Sequence, residues 1–431
     1  MGNLIFTYRF DSAIIYWLKI FFISFSAIVF ITDISSAQIL NTAPPIPYKD
    51  QYDVKDWLKD VFGKKNKSKD TANILKPSRN LILSILPGIS YNPASSVVVG
   101  VEGSASWYYG DPSNTINSSV AAGVSYSLKN QLKISLASNI FSKENKWLIA
   151  SDIRFWKFVQ NTYGLGTGTP DSNEENMDFD LIRFNLNVLK KVSKDFYLGL
   201  GYDLQYYSKI ETINNDNDSI IYPSFNSTYS RQNGLDTASY LSSGFLATAY
   251  YDSRDNTINP YKGLILTIQY RNYNQFLGSS SNFQLFDYQV RTYHSFNKKD
   301  SYILALWFAG TNVLNGRVPY MVLSATGWDK YNASGRGYVQ GRFRGRDLIY
   351  FEIENRITLT KNRFFGLAIF ANAESFSYPE GGVKLLEYIK PAGGIGLRFL
   401  FDKYSRTNIC VDYAIGADGS SGVWLNLGEF F

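Results

Sequence analysis

The chain has 431 residues, 45% hydrophobic and 16% aromatic, with 32 Tyr, 30 Phe and a mean hydropathy of −0.17. That profile is too polar for a bundle of membrane helices and too aromatic for an average soluble domain, but it suits an antiparallel membrane barrel with aromatic girdles and a wet interior. A net charge of +6, from 43 basic and 37 acidic residues, is the mild excess that lumen charges, turn charges or attraction to anionic head groups produce, so lipid and not nucleic acid is the expected partner.

At the N-terminus an apolar run from Ile20 to Ile31 follows Lys19 and leads into the small residues Ser35, Ser36 and Ala37. This layout predicts a signal peptide over 1–37, cut after Ala37; for the alternative, an uncleaved anchor, the run beyond Lys19 is short. No other run approaches ~20 apolar residues, so no spanning helix is expected after it. Residues 38–79 read as a polar periplasmic leader, too small for an independent domain without staples. Within it Val54, Trp57, Leu58, Val61 and Phe62 recur at helical spacing, a surface helix or a plug fragment.

From Asn80 the period changes to two. Sixteen strands are predicted, starting near residues 80, 95, 115, 130, 145, 178, 195, 239, 262, 282, 300, 347, 364, 390, 406 and 421. In one, Leu264, Leu266, Ile268 and Tyr270 alternate with Ile265, Thr267, Gln269 and Arg271; in another, Ile395, Leu397, Phe399 and Phe401 alternate with Gly394, Gly396 and Arg398. No helical layer is available to cover the apolar face, so lipid must. Long connections are expected at 159–177, 211–238, 313–346 and 372–389, and tight charged turns (SKEN, KKVSKD, NKKD, TKNR, DKYSR) after even-numbered strands. That asymmetry is the outer-membrane arrangement, and an even count lets the sheet close. The expected fold is all-β: a transmembrane antiparallel up-and-down β-barrel over residues 80–431, in the outer membrane of a Gram-negative bacterium. The lone Cys410, in a strand pattern, excludes an intramolecular disulfide and reads as a space-filling residue.

The segment Gly335 to Ile357 carries the densest information. An arginine- and glycine-rich loop runs into a strand with Leu348, Tyr350, Glu352, Glu354 and Arg356 on one face and Ile349, Phe351, Ile353 and Ile357 on the other. Four pieces in order resemble the BamA/TamA family of outer-membrane assembly barrels, whose relatives include the two-partner secretion transporters. Arg336-Gly337-Tyr338 resembles that family's sixth-loop motif, between the eleventh and twelfth strands. Glu354-Asn355-Arg356 resembles the motif on the next strand. Asp252-Ser253-Arg254-Asp255, with Pro260 and Gly263, resembles the turn after the eighth. The ending GVWLNLGEFF resembles the terminal strand. Two departures stand out: Asn372 occupies the thirteenth strand where the family places an aspartate, and the leader is too short for even one of the family's periplasmic POTRA domains.

The resemblance implies that the loop folds inward and that Arg336 meets Glu352 or Glu354, because a guanidinium holds carboxylates bidentately; an exposed loop touching head groups is the other reading. Arg342, Arg344 and Arg346 are expected to line the lumen or the loop neck. In the first strand Pro87 lacks an N–H and Gly88 weakens pairing, and Gly422 and Gly428 are placed on the last strand. Such a seam opens at lower cost, which the family is thought to use as a lateral gate; a simple kink at Pro87 is the alternative. Val423, Leu425, Leu427 and Phe431 are expected on one face of the last strand, as an insertion signal for the barrel itself. Asp252, Arg254 and Asp255 read first as a capped turn and second as a gating network.

Enzyme chemistry is not expected. The one histidine, His294, has no GxSxG motif or metal-spaced cluster with it, and GLGTGT (164–169) lacks the Lys-Ser/Thr of a phosphate loop and reads as a flexible surface loop. No cofactor or metal is implied. The resemblance implies a role in inserting or translocating outer-membrane or surface proteins, together with other outer-membrane or periplasmic assembly proteins. The alternative is a pore for ions or small solutes, with Arg271, Arg291, Arg356 and Arg398 setting selectivity.

Overall fold

A computed structural model describes residues 50–62, 81–92, 96–112, 114–128, 130–213 and 220–431. The expected signal peptide 1–37, and residues 38–49 and 63–79 of the expected leader, lie outside the described residues. Sixteen long strands among the described residues form one antiparallel sheet, each hydrogen-bonded to its neighbours in chain order. They are β1 (Ile82–Asn92), β2 (Ser96–Trp107), β3 (Ser118–Ser127), β4 (Leu132–Phe141), β5 (Trp147–Thr162), β6 (Glu175–Ser193), β7 (Phe196–Ile213) and β8 (Tyr240–Asp252). The second half comprises β9 (Gly263–Tyr273), β10 (Phe283–Ser295), β11 (Tyr302–Gly316), β12 (Leu348–Thr358), β13 (Phe365–Phe376), β14 (Lys390–Asp402), β15 (Thr407–Gly416) and β16 (Ser421–Leu427).

Alternation decides which way each strand faces. In β14, Ile395 and Leu397 are 58% and 47% exposed while Arg398 is buried. In β12, Tyr350, Glu352, Glu354 and Arg356 are buried, and the intervening positions are half-exposed. Apolar side chains outside and charged ones inside is the inverse of a soluble protein, and it fits a wall standing in lipid around a polar lumen. The turns after β4, β6, β10, β12 and β14 are tight, and each of β6, β10, β12 and β14 is followed by one left-handed residue (Asp195, Asp300, Arg363 and Arg406). The chain reverses there within a few residues.

The opposite end is taller than expected. β5, β6 and β7 have 16, 19 and 18 residues, more than the ~9–11 a tilted strand needs to cross. The first two long connections therefore shift to 163–174 and 214–239, and the third to 317–347. The reason is that backbone pairing continues beyond the lipid, as in Gln160 opposite Met177 and Thr162 opposite Glu175. Outside the membrane the apolar–polar alternation lapses while the ladder does not. The 214–239 connection also contains a helix the pattern did not reveal, α2 (Phe225–Gln232), started by a capping box at Ser224. The leader segment at helical spacing is a helix, α1 (Val54–Phe62).

The end of the chain departs from the expectation. β16 stops at Leu427, so Gly428 lies beyond the strand, with φ +102°. Val423 and Leu425 face outward, 65% and 54% exposed, but Phe430 and Phe431 are buried inside the lumen. The left-handed turn at Gly428 swings the last residues off the outer face, and Phe431 packs against Trp307 and Tyr293. The GLGTGT segment is also not a free loop: Thr167 Oγ1 donates to the Phe376 carbonyl at 2.9 Å, and Gly166 N donates to the Arg344 carbonyl at 2.7 Å.

Among the described residues β1 is paired with β2 and β16 with β15. The two ends of the sheet approach each other, with β16 coming within 8 Å of β2 between Cα atoms. Within β1, Pro87 stands opposite Val101 and Gly88 opposite Gly100.

A charge on the outer face tests the wall directly. Ile395→Arg, near mid-strand, is expected to lower unfolding stability in lipid vesicles by about 2–4 kcal/mol, the usual penalty for a lipid-facing arginine at depth. A urea midpoint unchanged by the substitution contradicts the assignment of that face.

Candidate functional site

The connection 317–347 enters the lumen and is held on both sides of it. A two-residue ladder, Ser324–Ala325 with Arg344–Gly345, closes its base. Toward β4 to β7, Trp328 packs on Trp156 at 5.4 Å and on Phe179 and Tyr207 at 6.4 Å between ring centroids. Arg154, itself paired with Asp152, donates to the Asp329 and Lys330 carbonyls at 2.9 and 3.1 Å. The Lys330 ammonium donates to the Ser138 carbonyl of β4 at 3.0 Å. Asp329 organises the loop's turn by accepting from the backbone N–H groups of Ala333 and Ser334, an Asx-type bond suited to a chain reversal.

On the other side Arg336 is the centre. Its guanidinium pairs with Glu352 and Glu354 of β12, the latter at 2.6 Å, and with Asp412 of β15; all four side chains are fully buried. Phe370 and Phe430 stack on it, with ring centroids 3.6 and 4.4 Å from Cζ. The cluster continues outward. Arg398 pairs with Asp412 and, at 2.9 Å, with Glu429. Arg356 pairs with Glu354 at 2.7 Å and donates to the Phe431 main-chain oxygen at 2.6 Å. Tyr350 donates its hydroxyl to Glu352. Three arginines thus face four carboxylates where water is largely excluded. Arginine is the side chain suited to this, because its planar fork engages several acceptors at once.

Gly337 has φ +113°, and a Cβ there would lie 2.5 Å from Ala392 Cβ; only glycine lets the loop press on β14. Tyr338 then spans two elements, donating to the Pro391 carbonyl at 2.6 Å and accepting from Ala417 N at 2.9 Å. Arg342 pairs with Asp171 at 2.6 Å, Arg344 donates to the Tyr320 and Leu323 carbonyls, and Arg346 pairs with Glu380. These three secure the loop's neck.

Asn372 touches the loop differently from a carboxylate. Its Nδ2 donates to the Arg336 carbonyl at 2.8 Å, while its Oδ1 and Arg336 Nε find no hydrogen-bond partner among the described residues. The acid that meets the guanidinium beyond β12 is Asp412 instead. Sequence reasoning missed Asp412, and it missed the inward return of Glu429, Phe430 and Phe431. A signal for Asp412 was present: it shares the inward register of β15 with Cys410 and Ala414, against outward Tyr413 and Ile415. Cys410 does more than fill space, since its Sγ lies 3.1 Å from the Gly428 carbonyl.

The turn 253–262 lies at the end of the tight turns. Asp252 accepts both arms of Arg254, at 2.9 and 2.8 Å, and the Tyr250 hydroxyl at 2.7 Å. Asp255 accepts from Tyr261 N and Lys262 N and pairs with Arg406, of the β14–β15 turn, at 2.6 Å. Gly263, at φ +110°, follows Pro260; a Cβ there would meet the Ser253 carbonyl at 2.4 Å. This is a capped turn that also ties across to another turn of the barrel rim.

A family model described as "Omp85 superfamily domain" matches residues 114–401. Among solved structures, CdiB from Acinetobacter baumannii is similar at 13% identity and a TM-score of 0.51, covering 82% of this chain and 60% of its own. CdiB from Escherichia coli is similar at 10% and 0.51, covering 80% and 62%. BamA from Haemophilus ducreyi lacking POTRA domains 1–3 gives 13% and 0.49, covering 80% and 69%. This chain thus spans less than two thirds of the CdiB chains, and likeness at these identities speaks for the fold alone. No curated protein matches.

The clasp predicts an unequal response to substitution. Asp412→Ala leaves Arg336 and Arg398 short of a buried partner, and should destabilise the folded barrel by about 3–5 kcal/mol, read as a lower urea midpoint. Adding Asn372→Asp to that variant should recover part of the loss by restoring a carboxylate within reach of the loop. A double variant no more stable than Asp412→Ala argues against shared charge at this point.

Proposed function

The chain belongs to the Omp85 superfamily, and from that premise we propose that this outer-membrane barrel assists the insertion or translocation of outer-membrane or surface proteins, working with a partner polypeptide on the periplasmic side. The observation that carries the proposal is the combination of a clasped lumen loop with a sheet whose first and last strands each lack a second ladder among the described residues. The loop keeps the wall upright while the edges stay poor in hydrogen bonds. An edge with unpaired N–H and C=O groups is a template to which another strand can add, and a nascent barrel presents such strands. Arg336 serves in this scheme as the bolt that holds β12 and β15 in register, Tyr338 fixes the loop over β14, and the Asp252–Gly263 turn braces the periplasmic rim.

An insertion assay tests the proposal. Vesicles carrying the purified protein should speed the folding of a urea-denatured small outer-membrane barrel relative to empty vesicles, and Arg336→Ala should slow it while lowering the heat resistance of the folded band on unboiled gels. Planar-bilayer recordings should show a mostly closed channel with rare openings. A large, steady conductance without any folding acceleration would favour the alternative, a pore for ions or small solutes lined by Arg271 and Arg291.

A further inference from the structure

The short helix α1 sits on the protein the wrong way round for water. Around its axis Val54, Trp57, Leu58 and Val61 share one side, and Lys55, Asp56, Lys59 and Asp60 share the other. A helix docked on a soluble protein turns its apolar side inward. Here the contacts to the barrel come from the polar side of the first turn, while Lys59 and Asp60 further along it are exposed: Lys55 pairs with Asp402, Asp56 pairs with Lys403 at 2.6 Å, and Asp53 accepts from Lys403 N at 3.2 Å. Trp57, Leu58 and Val61 point away, 44%, 43% and 53% exposed.

Two further observations say what covers them. The anchoring residues end β14 (Asp402) or lie in the β12–β13 and β14–β15 turns, at the end of the barrel where the tight charged turns lie. Tyr52 N, just before the helix, donates to the Asn362 carbonyl at 3.0 Å. From Tyr52 an unbroken chain of edge-to-face rings also runs to the outer wall: Phe364 at 5.5 Å, Phe365 at 4.6 Å from it, and Phe399 at 5.2 Å beyond. Phe365 and Phe399 stand opposite each other in the ladder, on its lipid-facing side. The helix is therefore continuous with the aromatic girdle.

We infer that α1 is an interfacial helix whose apolar side lies in the phospholipid of the periplasmic leaflet, beside β13 and β14. Trp57 at head-group level is the usual position for that ring, and an amphipathic helix lying in the membrane plane is a known way to use such a surface. The barrel then carries a lateral foot that fixes the depth of this sector of the wall. The claim is independent of whether the barrel inserts proteins or conducts solutes.

The test is collision accessibility. Spin labels on Leu58→Cys, Val61→Cys and Lys59→Cys are read by electron paramagnetic resonance in the full protein, reconstituted in phosphatidylethanolamine–phosphatidylglycerol vesicles. The native Cys410 is fully buried and stays unlabelled; a heat-resistant band on unboiled gels establishes that each variant is folded. Labels at 58 and 61 should collide preferentially with oxygen, and the label at 59 with a water-soluble nickel chelate. Preference for the chelate at all three positions overturns the inference, since the helix then lies in water. So does low access to both reagents at 58 and 61, since protein then covers the face.

Discussion

A sixteen-stranded wall encloses more space than its own inward side chains can fill, and the ion cluster around Arg336 is how this protein meets that constraint. The loop 317–347 spans the lumen like a crossbar, but a loop by itself has no reason to stay inside. What holds it is a guanidinium with three carboxylates and two aromatic faces around it, out of reach of water. Such a cluster is close to all-or-none. Each charge has given up its hydration, and each is tolerable only because the others are in place. The same groups serve neighbours: Glu354 meets Arg336, Arg356 and Arg398, and Asp412 meets Arg336 and Arg398. β12, β14 and β15 are thereby fastened from the inside as well as by their ladders.

The tail beyond β16 belongs to the same construction. Glu429 reaches Arg398, Phe430 covers Arg336, and the Phe431 oxygen accepts from Arg356. Among the described residues β16 has a ladder to β15, and this inward tail adds to its anchorage.

Much of this was legible in the sequence because the period of two is imposed by lipid on one side and water on the other. Strand starts such as those of β9, β14 and β16 follow from that alternation, and the direction of Glu352 and Glu354 follows from outward Ile353. What was not legible has a common cause. The upper parts of β5 to β7 leave the membrane, and with it the rule that made alternation visible. Asp412 and Glu429 are single acids without a sequence-local partner, and their meaning arises only when β12, β14 and β15 curve to bring three arginines to one place. Phe431 was placed on one face with Val423 and Leu425 by extending the alternation of β16 four residues too far, past the left-handed Gly428 that breaks it. The substitution of Asn372 for an expected acid was visible, but its compensation two strands away was not.

The crossbar also divides the wall into unequal parts. Its hydrogen bonds reach β4, β5 and β8 on one side and β12 to β15 on the other, and among the described residues none reaches β1, β2 or β3. Those three strands include Gly100 and Gly123, and the stretch Val120–Gly123 of β3 is largely unburied on either face. A strand with small side chains, few packed neighbours and no brace from within opens at lower free energy than the rest of its sheet. The sector with no such bond among the described residues is therefore the one that ends at β1, and in the proposed scheme an easily opened seam would draw on three strands and not on Pro87 alone.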